Sequence, residues 1–113
     1  MLVDLAGSER LSFLESNPNS IMQKETIGIN KSLMSLRKVI NSLALQSNPK
    51  TAHKISYIPY RESKLTQLLK QSLGGNSYCL MIACLSPCDE SYEENLSTLQ
   101  YATKTGLIKN KPL

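Results

Sequence analysis

The stretch Leu2-Val3-Asp4-Leu5-Ala6-Gly7-Ser8-Glu9-Arg10 sets an aspartate inside a short apolar run and a glycine three residues further on. Met1 to Leu5 reads as the end of a buried strand. An aspartate at the C-terminal end of a strand can hold Mg²⁺, directly or through water. The glycine that follows lets its backbone N–H approach a phosphate oxygen with no side chain in the way. Nucleotide switches sense a γ-phosphate with this arrangement. A plain strand followed by a glycine-containing turn has the same pattern, so these residues alone leave both readings open.

Outward from this stretch, residues 6–23 read as a long polar loop with Asn17-Pro18-Asn19-Ser20 as its turn. From Ile29 the period becomes helical: Ile29, Leu33, Leu36, Ile40 and Leu43 form one apolar stripe. Lys31 and Lys38 fall on the opposite face. Lys24 would join them in a helix that began earlier, but Gly28 argues against that start. Asn48-Pro49 ends the helix. A loop over Thr51 to Pro59 holds His53 and Lys54. A second helix is expected over Glu62 to Leu73, stopped by Gly74-Gly75. Tyr78 to Leu85 carries no charge and suits a central strand covered on both faces. A third helix is expected over Asp89 to Thr105, with acidic residues in its first turns, Ser91 as a capping residue, and Tyr92, Leu96, Leu99 and Ala102 facing inward. The order is strand, helix, helix, strand, helix. Two strands do not make a stable sheet, so the apolar faces are expected to need a larger sheet than this chain supplies.

Composition narrows the function classes. At 113 residues the chain holds one domain at most. No apolar run approaches the roughly 20 residues that span a bilayer, so membrane insertion is not expected. The net charge of +4 suits an anionic partner without choosing among them. Basic clusters interleaved with aromatics are few, which argues against nucleic acid. Cys79, Cys84 and Cys88 read as small buried residues, because one histidine and three cysteines do not make a closed zinc site.

Five motifs then converge on one family. Leu2 to Arg10 resembles the switch II segment of kinesins. Asn30-Lys31-Ser32-Leu33 resembles the start of the kinesin relay helix. Ile58-Pro59-Tyr60-Arg61-Glu62-Ser63-Lys64-Leu65-Thr66 resembles the segment entering the next helix. Leu73-Gly74-Gly75-Asn76 resembles the turn before the last central strand, and Lys109-Asn110-Lys111-Pro112 the start of the neck linker. The motifs keep the family's order and span nearly the whole chain. The resemblance implies an α/β fold: part of the kinesin-type P-loop NTPase, with about two sheet strands and three helices, the upstream sheet and P-loop missing. Residues 1–108 would be the partial motor domain and 109–113 the start of the neck linker.

The same resemblance implies roles. Asp4 would stabilise the Mg²⁺ shell through water, Gly7 would donate its N–H to the γ-phosphate, and Glu9 would pair with a switch I arginine and help position the attacking water. Asn30, Lys31, Arg61 and Lys64 match positions turned toward tubulin, and Lys38 shares the outward face of Lys31. Ile108 and Asn110 would dock and latch the neck linker. The implied whole is a cytoplasmic, cytoskeletal motor that moves on microtubules with ATP and Mg²⁺. Any homodimer would use segments beyond residue 113.

The ATP grip is not in this sequence. A P-loop needs G-x-x-x-x-G-K-[ST], and Lys31-Ser32 is preceded by Asn30. ATP is therefore not expected to bind tightly or to be hydrolysed by this chain alone. A non-catalytic tubulin-binding module is the alternative. A GTPase-like switch shares the aspartate–glycine spacing but not the motifs after residue 30. Three departures stand out within the match. Arg37 occupies a position where kinesins commonly have glycine. Residues 11–23 lack the usual basic pattern and carry Glu15. Lys104-Thr105-Gly106 replaces the usual end of the last helix.

Overall fold

The computed structural model describes residues 1–7 and 21–113, apart from the side chains of residues 22 and 23. Three α-helices carry it: α1 over Ile21–Ser47, α2 over Lys64–Leu68 and α3 over Tyr92–Gly106, with 3-10 turns at Ala52–Lys54, Tyr60–Glu62 and Asp89–Ser91.

The helix α1 starts before the expected Ile29 and runs straight through Gly28. A glycine inside a helix costs about 1 kcal/mol relative to alanine, too little to break 27 residues. Its apolar stripe does bury, but only over its C-terminal half. Leu36, Ile40 and Leu43 are buried together with Val39, while Ile29 stays exposed and Leu33 half-buried. Leu69 and Leu73 complete the core, and Ile58, Tyr60, Leu65, Tyr101 and Ile108 pack against it. Each fully buried aliphatic side chain contributes roughly 1.5–3 kcal/mol.

The connection from Tyr60 into α2 is fixed by one hydroxyl. Thr66 is fully buried, and its Oγ1 lies 2.6 Å from the Tyr60 carbonyl and 2.9 Å from that of Ser63. The Ser63 side chain accepts from the Thr66 N–H, and the Ser63 N–H donates back to Thr66 Oγ1. This reciprocal capping box satisfies donors that a helix start otherwise leaves orphaned. It starts α2 at Lys64, two residues later than expected, and α2 gives way to turns after Leu68 rather than reaching Leu73.

The expected sheet is not there. Among the described residues no strand forms, neither at Met1 to Leu5 nor at Tyr78 to Leu85. The architecture is helical, and the α/β expectation of about two strands is corrected. The cause is the lack of a partner: a strand is defined by its ladder, and an apolar run has nothing to pair with when its neighbours are absent. Leu80 and Ile82 are accordingly 87% and 80% exposed. Cys79, Cys84 and Cys88 are free and exposed rather than buried. Helix α3 suffers likewise. Tyr92, Leu96 and Leu99 of its expected inner face are exposed, and Tyr101 supplies its core contact instead. Ser91 makes no side-chain cap bond. The α3 entry is held by Asn95, whose side chain both accepts from the Ser86 N–H and donates to the Ser86 carbonyl.

Replacing Thr66 with valine keeps the shape and removes the hydroxyl, leaving the Ser63 N–H and the Tyr60 carbonyl without their partner. The expected loss is about 1–3 kcal/mol, read as a lower denaturant midpoint; an unchanged midpoint would remove Thr66 from its role.

Candidate functional site

Two groups of expected site residues come together in space, and a third does not. The first group is a basic surface on α1 and the segment entering α2. Lys31 and Lys38 are exposed on α1, seven residues and so roughly 10 Å apart along its axis. Arg61 and Lys64 are exposed on the 3-10 turn and at the first position of α2. Lys38 Nζ donates to Glu62 Oε2 at 3.0 Å, which draws the α1 face against this turn. Of the four cations, Lys38 is the one paired with the Glu62 carboxylate. The pair is half-exposed and worth at most about 1 kcal/mol. Its weight lies in arrangement: it commits one expected partner-facing lysine to an internal acid. Asn30 is half-buried within α1.

The second group ties the C-terminal segment to the turn after α2. Ile108 packs on the core. The Asn110 side chain accepts from the Gly74 N–H at 2.8 Å and donates to the carbonyls of Ser72 and Ser77 at 2.7 and 2.6 Å. Backbone bonds from Lys111 to Gly75 and from Leu113 to Asn76 continue the contact. One amide side chain therefore satisfies three backbone groups of a turn that no ladder supports.

The switch-like residues do not assemble. Asp4 and Gly7 are exposed, and Glu9 lies outside the described residues. Among the described residues no group of three or more His, Cys, Asp or Glu could hold a metal ion. Mg²⁺ demands near-octahedral oxygen coordination, usually one or two carboxylates with phosphates and waters. One exposed aspartate does not meet that need, so the described residues do not fit a Mg²⁺–ATP site on their own.

The sequence reading gave no role to two residues. Glu62 figures in the sequence as the expected start of the second helix and within a motif, although an acid between Arg61 and Lys64 is also a visible charge signal. Arg37 was seen only as a departure. Its guanidinium lies over the Tyr101 ring, 5.7 Å from the centroid. Burial pushes the Tyr101 phenol up to about 12, and Arg37 opposes that shift by favouring the phenolate. Tyr60 is also pushed up by burial; Lys70 stands over its ring, and its hydroxyl donates to the Leu73 carbonyl.

The kinesin motor domain family model matches residues 1–108. This chain belongs to the kinesin family. Kinesin-like protein KIF14 of Mus musculus is 55% identical over 109 residues, which is 96% of this chain and 6% of that protein. Chromosome-associated kinesin KIF4B of Homo sapiens is 51% identical over 112 residues, 99% of this chain and 8% of that one. A solved KIF14 dimer, in a two-heads-bound state with AMP-PNP in complex with a microtubule, superposes with a TM-score of 0.85 at 52% identity. The match covers 97% of this chain and 28% of that one. The kinesin chain described here thus spans less than a tenth of the length of these two curated relatives. The likeness holds although no strand forms among the described residues.

Replacing Asn110 with alanine is expected to cost about 1–3 kcal/mol, because it leaves the Gly74 N–H and two carbonyls without their partner. Hydrogen exchange at the Gly74 amide should speed up in step. An unchanged Gly74 rate would mean that the latch does not hold in solution.

Proposed function

We propose that this chain is the track-facing part of a microtubule motor, and that it meets tubulin through Lys31, Lys38, Arg61 and Lys64, with Asn30 at the head of that surface. The observation that carries the reading is the basic surface around Glu62, built on segments that match kinesin motifs. Its support is the solved relative, which is in complex with a microtubule. An acidic polymer is the natural counterpart of exposed lysine and arginine on a chain of net charge +4.

The nucleotide half of the cycle is proposed only for a longer motor polypeptide. Asp4, Gly7 and Glu9 would act there as the γ-phosphate-sensing strand end, beside a phosphate-cradling loop that this sequence does not carry. Motor movement, ATP use and a cytoskeletal location belong to that whole. The alternative, a tubulin-binding module without hydrolysis, is favoured by one observation, the missing G-x-x-x-x-G-K-[ST] motif.

Co-sedimentation of the 113-residue chain with stabilised microtubules tests the tubulin contact. Binding should weaken as salt rises, because exposed charges are screened within about 10 Å at 0.1 M. Combined substitution Lys31→Glu, Arg61→Glu and Lys64→Glu should lower the affinity by tenfold or more, about 1.4 kcal/mol. Equal binding by both chains would overturn the assignment of this surface. An ATPase assay on the same samples tests what the two readings share: turnover by the isolated chain would contradict both.

A further inference from the structure

We propose that Arg37 is a positioning residue whose guanidinium, seated on the Tyr101 ring, clamps α1 to α3 so that the two helices move as one body. The inference goes beyond the tubulin reading and does not depend on it.

Four observations carry it. The Arg37 guanidinium carbon is 5.7 Å from the ring centroid, inside the roughly 6 Å within which a cation is held by an aromatic face. Tyr101 is the α3 aromatic that packs against the core of α1, so the ring is anchored and not a loose surface group. Its phenol, pushed up by burial, stays neutral across the physiological range, which keeps the ring face a constant partner for the cation. The next residue, Lys38, reaches a different neighbour, Glu62. Two consecutive cations thus brace α1 from two sides: Arg37 toward α3, and Lys38 toward the Tyr60–Glu62 turn.

The clamp matters because it adds direction to an α1–α3 contact whose core packing is apolar. The exposed Tyr92, Leu96 and Leu99 leave much of α3's apolar face uncovered. Apolar packing at Tyr101 and Ile108 has little directional preference. A planar guanidinium over a ring does have one, and it sets how the helices are rotated against each other. With the clamp in place, α1 and α3 keep one relative rotation.

The test is solution NMR on the whole 113-residue chain. In the unsubstituted chain the Arg37 side-chain protons should resonate upfield of their solvent-exposed positions because of the Tyr101 ring current. Tyr101→Phe should keep that shift, and Tyr101→Leu should abolish it. Arg37→Gln, similar in length but neutral, should speed amide exchange in α3 by about fivefold, a factor suited to a cation–π contact that is partly desolvated. Arg37→Lys, which keeps the charge but not the planar guanidinium, should restore only part of the protection. In the Tyr101→Leu background, Arg37→Gln should add nothing, as a double-mutant cycle requires of one shared interaction. An Arg37 signal without ring-current shift in the unsubstituted chain overturns the proposal. So does an equal acceleration by Arg37→Gln with and without the ring, which would mark Arg37 as merely structural.

Discussion

Gly74 adopts a φ of +78°, and its α-carbon faces Leu43 and the Tyr60 hydroxyl so closely that a Cβ there would lie 2.7 and 3.0 Å from them. That approach is the constraint on which the other contacts depend. Leu43 belongs to the buried face of α1. Tyr60 opens the turn into α2, and its hydroxyl is bonded to the carbonyl just before the glycine. The N–H of the same glycine is held by Asn110. One backbone position therefore joins the long helix, the segment entering α2 and the C-terminal segment, and only a residue without a side chain fits there without strain.

Much of this was legible in the sequence, for physical reasons. The outward direction of Lys31 and Lys38 follows from the helical period alone. Gly74 does take the positive φ open to glycine, but α2 has already ended at Leu68, so the Gly74-Gly75 pair is not what stops it. Tyr78 to Leu85 misled, because an uncharged run states what a segment would bury and not whether a partner exists. The expected burial of the three cysteines fails too: Cys79 and Cys84 lie in this uncovered run, and Cys88 follows it, exposed. The early start of α1 was missed because a local glycine penalty was weighed against too short a helix. The capping box at Ser63 and Thr66 needs only a serine and a threonine three residues apart.

The site divides along the same line. The surface residues Lys31, Lys38, Arg61 and Lys64 need only helices to present them, and the helices form. Asp4 and Gly7 need a strand end held by a sheet, and no strand forms among the described residues. Exposed Leu80 and Ile82, with Leu96 and Leu99 on α3, mark the apolar faces that remain without a layer. The helical half of the arrangement can thus be specified locally by capping, stripe and turn chemistry. The strand-end residues Asp4 and Gly7 depend on long-range pairing.

Parallel unfolding of two alanine variants tests the central constraint most directly. Gly28 is also a glycine, but a Cβ there meets nothing within 4 Å. Gly28→Ala, inside an exposed helical stretch, should stabilise the chain by about 0.5–1 kcal/mol. Gly74→Ala should destabilise it by at least about 1–3 kcal/mol, from the left-handed backbone and the collision with Leu43. Variants with midpoints shifted alike, or a Gly74→Ala chain as stable as the original, would contradict the account.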